Sequence, residues 1–388
     1  MPDRRTLLLL RSFYFLNYGG LGALFPLLPL LLEGRHLSAS EISWVMVLVP
    51  LCNLLMPTLW GVAADALQAR VSLLRLAAFA SSLATLLLVP DWGFWGAMLA
   101  VGVFSLFRSP VASLVDAATS AAMGTQQVAF GQVRVWGSVG FALLVLAMGV
   151  VRVSEHPAVL VWTSFAVYLA SAFVALALRA PPPRRERGVL RECLALLARP
   201  ALLLILCGNL FYYLGHAIFD AYFSLHLKHL GFDDRFISSA WAVGVAVEVG
   251  VMFAAPRLLP RARASSFMCV AAACAALRWG TLSVTRLPAA LLAVQTLHGI
   301  TFGLWYLSLV RFVQSTAPER LRTSLQSVAL STFGGGSVVG YLVGGAMMQR
   351  HGGSRTFQLA CAGAATALVL YLVARAFDRG PSGEREPR

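Results

Sequence analysis

Three ionisable residues, Glu248, Arg278 and His298, lie deep inside long apolar stretches of the sequence. Each lies about ten to thirteen residues into its stretch, so at about 1.5 Å per helical residue the three reach a similar depth. A carboxylate takes up or releases a proton according to its partners, and an imidazole titrates near neutral pH. A guanidinium stays charged and can neutralise that carboxylate or hold an anionic or hydroxylated ligand. The three residues are therefore a candidate proton-handling site.

The structural alternative for this group is a buried Glu248–Arg278 ion pair that only holds helices together. We favour a functional role, because a buried ion pair often stabilises a protein no better than apolar packing does. An ionisable group at the centre of a bilayer also costs about 2.5–3.5 kcal/mol to insert, so such groups invite a functional hypothesis.

A second charged cluster comes earlier in the chain. Asp116 and Arg134 approach the same end of two consecutive apolar stretches, and we predict a pair there that gates or stabilises that end. Arg108 lies deeper and has no obvious partner in the sequence, so it is a candidate for binding a carboxylate of a ligand.

Further polar and aromatic residues inside the apolar stretches are candidates to line a cavity. His216 and Asp220 are four residues apart and share a helix face, although a gating role competes for Asp220. The remaining cavity candidates are Asn17, Tyr18, Asn53, Trp305 and Gln326. The alternative for each amide is a hydrogen bond to a neighbouring helix.

The elements that must position these residues are membrane helices. Of 388 residues, 58% are hydrophobic and 12% are charged, whereas soluble domains carry about 25% charged residues. This composition excludes a soluble enzyme, a disordered chain and a disulfide scaffold. Stretches of about 20 apolar residues predict membrane-spanning helices. Twelve are present, at 7–32, 41–64, 71–90, 92–116, 129–151, 157–178, 200–227, 236–256, 265–284, 288–311, 323–348 and 354–376.

The net charge of +14 follows the topology rather than nucleic-acid binding. Most basic residues of the connections fall on one side of the predicted helices, and the positive-inside rule places that side, with both termini, in the cytoplasm. The six cysteines form no CxxC pair, so we expect no metal site and no cofactor. Nearly all of the 31 basic residues are arginine, which favours a GC-rich genome and a bacterial inner membrane.

The predicted helices divide into two groups of six. Residues 1–178 form an N-terminal bundle, the basic segment 179–199 a cytoplasmic central loop, and 200–388 a C-terminal bundle with a short cytoplasmic tail. Glycines at 334–336, 340, 344 and 345 predict close packing of the eleventh helix. The fold class is an all-α membrane protein of twelve helices, in the arrangement of major facilitator transporters.

Several motifs resemble that superfamily. The connection at 61–70 (GVAADALQAR) resembles its loop signature, which implies that Asp65 latches helix ends. The segment 130–141 (FGQVRVWGSVGF) resembles the start of the fifth helix in the phenylpropionate permease and nucleoside:proton symporter group, and 297–303 (LHGITFG) resembles the tenth-helix motif of the phenylpropionate permeases. Glu, Arg and His on helices 8, 9 and 10 also resemble the lactose permease family, although the carboxylate that follows its histidine is replaced here by Thr301-Phe302.

The resemblance implies proton-coupled uptake of a small organic solute, such as an aromatic carboxylate, a nucleoside or a sugar, by a monomer, with the helix-8 carboxylate carrying the proton. A proton-driven exporter is the alternative, but the fifth helix lacks the proline usual in drug antiporters. A membrane enzyme is disfavoured because no HExxH, GxSxG or phosphate-loop motif is present. A channel is disfavoured because the sequence has no filter-like repeat. A sensor built on a transporter fold is a further alternative, and it would be recognised by the absence of any transported solute.

Overall fold

A computed structural model describes residues 3–67, 69–123, 127–178, 199–259, 262–318 and 321–377. In a bilayer the backbone must satisfy its own hydrogen bonds, which makes helices the natural element for these apolar stretches. The predicted central loop at 179–199 falls almost wholly outside the described residues, and so does the C-terminal tail beyond 377.

The helices follow the predicted order with shifted ends. They are α1 (Arg4–Leu24, continued by Leu28–Gly34), α2 (Ala39–Met46 and Leu48–Ala66), α3 (Arg70–Thr85), α4 (Gly93–Met123), α5 (Gln127–Val151), α6 (Pro157–Leu176), α7 (Pro200–His229), α8 (Asp234–Leu258), α9 (Ala264–Val284), α10 (Pro288–Gln295, a π-helical turn Gly299–Leu304, and Trp305–Thr316), and finally α11 and α12, both within Arg322–Phe377. No strand occurs among the described residues.

The last helical stretch is two membrane crossings joined at Gly352. Eleven described segments are long and apolar enough to span a membrane, and the last covers 50 residues, Val328–Phe377. At about 1.5 Å per residue this stretch would be about 75 Å long, far more than a bilayer of about 30 Å. Gly352 has a φ of 74°, and the chain reverses there. We therefore call 322–351 α11 and 353–377 α12, which gives the twelve predicted crossings.

Contacts on both sides of Gly352 demonstrate the reversal. Gly336 of α11 and Gly363 of α12 both lie against the same short part of α7, at Leu210 and Phe211 respectively. The glycine face predicted for the eleventh helix packs against α7, because a side chain at Gly336 would collide with the Leu210 carbonyl. Small residues thus let α7 and α11 approach closely.

Helices α1–α6 meet α7–α12 through a set of polar contacts that we call the closed end. His229 Nε2 lies 2.6 Å from Glu33 Oε1. The Asp234 carboxylate accepts hydrogen bonds from the Ser154 backbone N–H at 2.7 Å and from the Ser154 hydroxyl at 2.6 Å. Lys228 Nζ donates to the same carboxylate at 3.1 Å. These contacts hold the two groups of helices together at one end of the molecule.

Candidate functional site

The three deep ionisable residues come together inside α7–α12. His298 Nε2 lies 3.6 Å from Glu248 Oε2, and Arg278 Nη1 lies 3.0 Å from His298 Nδ1. As whole residues, Glu248, Arg278 and His298 are 7%, 0% and 8% exposed. The structure corrects one sequence-based alternative. Glu248 and Arg278 do not form a direct ion pair, because the imidazole of His298 lies between them.

The contact with Arg278 determines which nitrogen of His298 carries a proton. A guanidinium can only donate hydrogen bonds, so Nδ1 of His298 must accept from Arg278. The neutral ring then carries its proton on Nε2, which faces Glu248. The 3.6 Å from Nε2 to Oε2 exceeds an ordinary hydrogen bond. Glu248 forms no hydrogen bond with the described residues.

Arg278 is fixed by a residue that the sequence analysis missed, Gln295. The Gln295 Oε1 atom accepts from Nη2 at 2.6 Å and from Nε at 3.2 Å, and its Nε2 donates to the Leu291 carbonyl at 3.2 Å. The ring centroid of Phe219 lies 3.9 Å from the guanidinium carbon. The available signal was spacing: Gln295 precedes His298 by three residues and so shares its helix face.

The π-helical turn of α10 connects this group to α7. A wider turn frees a backbone carbonyl, and π-turns often mark functional sites. The Thr301 carbonyl oxygen accepts a hydrogen bond from the Tyr212 hydroxyl and lies 3.1 Å from His216 Nε2. A Cβ at Gly299 would lie 2.8 Å from the Val247 carbonyl oxygen. Glycine there allows α10 to contact α8, which brings His298 beside Glu248.

Two of the predicted cavity residues are packed inside α7–α12 instead. His216 is 2% exposed and its ring nitrogen is engaged by Thr301. Trp305 is fully buried, stacks on Tyr212 with centroids 5.2 Å apart, and donates to the Tyr371 hydroxyl at 3.1 Å. Nε2 of His216 and the indole N–H of Trp305 therefore already have partners, and these contacts join α7, α10 and α12 to one another.

Other cavity candidates remain available to a ligand to different extents. Asp220 is half-buried on α7, and its carboxylate makes no hydrogen bond within the described part of the chain. Asn53 is exposed on α2, and Gln326 is half-buried on α11. The Asp65 side chain lies outside the described residues, so its predicted latch cannot be located.

The expected Asp116–Arg134 pair is not formed. The Asp116 carboxylate accepts a hydrogen bond from the Tyr14 hydroxyl at 2.5 Å. Tyr14 stacks on Tyr18 with centroids 6.1 Å apart, and the Arg134 guanidinium lies 5.7 Å from the Tyr18 ring. The aromatic pair on α1 thus contacts both charged residues, Asp116 through Tyr14 and Arg134 through Tyr18. Sequence position alone did not reveal these contacts.

Comparison with known proteins agrees with this architecture. Residues 7–359 match the MFS_1 like family. Over 348 residues, covering 87% of this chain and 86% of the relative, it is 31% identical to a protein named maltose permease from Geobacillus stearothermophilus. Over 260 residues, covering 63% of this chain and 65% of the relative, it is 26% identical to a probable 3-phenylpropionic acid transporter of Escherichia coli (strain K12).

A solved structure shows the same fold. The crystal structure of the nucleoside transporter NupG superposes with a TM-score of 0.82 at 17% identity, over 97% of this chain and 99% of NupG. The family match, the named relatives and the shared fold lead to one conclusion. The chain belongs to the MFS_1-like family and is a multi-pass major facilitator transporter of small molecules, not an enzyme.

Proposed function

We propose that this transporter couples the uptake of a small organic solute to protons, by alternating access, with Glu248 carrying the proton. The observation that carries the proposal is the chain of contacts from Glu248 to His298 to Arg278, buried in the membrane-spanning part. A buried carboxylate without a hydrogen-bond partner is costly when charged. Such a group is suited to holding a proton in one state and releasing it in another.

His298 is the residue that responds to the protonation state of Glu248. Its Nε2–H faces Glu248, so the carboxylate can shorten that 3.6 Å separation when it becomes charged and lengthen it when it is protonated. Arg278 holds the other face of the ring, which keeps the imidazole aligned through this change. Proton release from Glu248 would therefore rearrange α8 relative to α10, and the coupling step of transport requires a rearrangement of this kind.

Alternating access also requires the closed end to open. The Glu33–His229 and Asp234–Ser154 contacts join α1–α6 to α7–α12. We place both termini in the cytoplasm of a bacterium, with the protein in its inner membrane as a monomer. We further propose that residues 1–178 and 200–388 move as two bundles about the site, linked by 179–199.

The test is accumulation of solute in proteoliposomes under an inward proton gradient. Maltose, 3-phenylpropionate and uridine are suitable probes, because relatives carry names of these three classes. Gradient-driven accumulation of one probe supports the proposal. Loss of preloaded solute driven by the same gradient would favour the exporter, and an intact protein that accumulates none of the three would count against coupled uptake.

A further inference from the structure

A second polar group lies among α1, α4 and α6, away from the Glu248 group. What we call the Arg108 pocket consists of Asn17 of α1, Ser105 and Arg108 of α4, and Tyr168 of α6. Ser105 and Arg108 are three residues apart and share a helix face. The Tyr168 ring lies 2.9 Å from the position of a Cβ at Gly20, one turn after Asn17, so the side chains of the three helices converge.

Several buried polar atoms of the Arg108 pocket have no hydrogen-bond partner in the described part of the chain. Nine buried side-chain nitrogen or oxygen atoms in the described residues have no hydrogen-bond partner, and this pocket contains Arg108 Nε, both amide atoms of Asn17, Ser105 Oγ and the Tyr168 hydroxyl. Buried polar atoms are normally hydrogen-bonded, and each unsatisfied one costs about 1–3 kcal/mol. So many in one place indicate a site that a polar ligand completes.

The charge of Arg108 is also uncompensated. Its side chain is 9% exposed, and its guanidinium carbon lies 5.7 Å from the Tyr18 ring and 5.8 Å from the Tyr168 ring. No described carboxylate lies within ion-pairing distance of it. Asp116, on the same helix, is engaged by Tyr14 at 2.5 Å. A buried cation without an anion is strongly unfavourable, so the missing partner is negatively charged.

The chemistry of the pocket selects a carboxylate. The guanidinium carbon lies 5.7 and 5.8 Å from the centroids of two tyrosine rings, and Nε has no hydrogen-bond partner among the described residues. A guanidinium can donate two parallel hydrogen bonds to a planar carboxylate. The amide of Asn17 and the hydroxyls of Ser105 and Tyr168 can donate to the remaining lone pairs. Sugar hydroxyls could satisfy these hydrogen bonds but would leave the charge of Arg108 unpaired.

We propose that the Arg108 pocket binds the carboxylate group of a small organic acid, which makes the transported solute an organic monocarboxylate. The proposal rests on the proposed transport function and assigns its substrate class. Solute recognition then lies on α1, α4 and α6, whereas the proton group lies on α8, α9 and α10. The two sites lie on different groups of helices, so a bound acid and a carried proton can each influence how those groups move.

The test is equilibrium binding to purified protein in nanodiscs, without any proton gradient. The probes are 3-phenylpropionate and its amide, which share shape and differ in charge. We expect the acid to bind at least tenfold more tightly than the amide. Arg108→Gln should weaken binding of the acid at least tenfold and leave the amide unchanged, whereas Arg108→Lys should retain part of the preference. Arg152→Gln, an exposed arginine paired with Glu155, is the matched control and should change nothing.

Several results would overturn the subsite. They are equal binding of acid and amide, no binding of the acid by the folded wild type, or unchanged acid binding by Arg108→Gln with a normal unfolding temperature. Glu248→Gln separates this proposal from proton coupling. If that variant still accumulates solute while Arg108-dependent binding persists, the coupling role fails and the subsite stands.

Discussion

Replacing Glu248 with glutamine tests the proton carrier with the least disturbance of structure. Glutamine has nearly the same shape as glutamate, and Glu248 makes no hydrogen bond to the described residues that the amide would break. His298 Nε2 lies 3.6 Å from the Glu248 carboxylate. We therefore expect Glu248→Gln to fold with an unchanged unfolding temperature. The amide cannot carry a proton, so the variant should bind solute but lose coupling.

The size of the effect follows from the number of carboxylates in the group. Among the described residues, Glu248 is the acid that lies within 4 Å of His298, at 3.6 Å, so we predict one proton per cycle. One proton moving down a gradient of one pH unit supplies about 1.4 kcal/mol, which corresponds to about tenfold accumulation. Wild-type proteoliposomes should approach that ratio. In Glu248→Gln the ratio should fall to about one, with exchange of labelled for unlabelled solute preserved.

The assay measures labelled solute inside proteoliposomes against time, with and without the pH gradient. Glu155→Gln is the matched control, because Glu155 is an exposed carboxylate paired with Arg152. It should accumulate solute as the wild type does. Tenfold accumulation by Glu248→Gln would refute the role of this carboxylate. Loss of both accumulation and exchange, with an unchanged unfolding temperature, would show that Glu248 is needed for solute movement itself.

Four further substitutions probe the supporting structure. Gly299→Ala should lower both the unfolding temperature and the accumulation of solute, because the new Cβ would lie 2.8 Å from the α8 backbone. Gly250→Ala is the control and should change neither, because the space around Gly250 is open. Equal effects of the two substitutions would contradict this reasoning. Arg278→Lys should reduce accumulation, since an ammonium cannot reproduce the two bonds to one amide oxygen, and wild-type transport would argue against a need for that geometry. Tyr14→Phe removes a 2.5 Å hydrogen bond to a carboxylate, worth about 1.5–3 kcal/mol, so an unchanged unfolding temperature would show that bond to be unimportant. Asp234→Asn should speed hydrogen exchange at the Ser154 backbone N–H, which donates to the Asp234 carboxylate at the closed end. Unchanged protection of this N–H would mean that other contacts hold that end.

The fold could be predicted from the sequence because bilayer physics constrains it so strongly. Apolar stretches of sufficient length must form helices, and their number, with the central basic segment, indicates the superfamily. The boundary between α11 and α12 was also predictable, since Gly352 falls between two apolar stretches. Helix breaks within a crossing were harder. Hydropathy shows neither the interruption of α1 near Pro26, where the proline lacks a backbone N–H, nor the π-turn of α10.

Three members of the candidate site could be predicted from the sequence, whereas Gln295 and most of the contacts could not. Depth along the helices brought Glu248, Arg278 and His298 to one level, and the structure places them in contact. Which atom faces which depends on helix rotation, and sequence does not fix rotation for helices that are apolar on nearly all sides. That is why His298 lies between the two charges, and why Asp116 bonds Tyr14 rather than Arg134.

The most direct test of the central claim is proton movement caused by solute. Wild-type proteoliposomes in weakly buffered medium, with no imposed gradient, receive 3-phenylpropionate while the external pH is recorded, and maltose and uridine follow in parallel. The account predicts that the organic acid raises the external pH, as one proton enters with each solute, and that Glu248→Gln abolishes this rise. An external pH that stays constant during measured solute entry, or that falls, would contradict proton-coupled uptake.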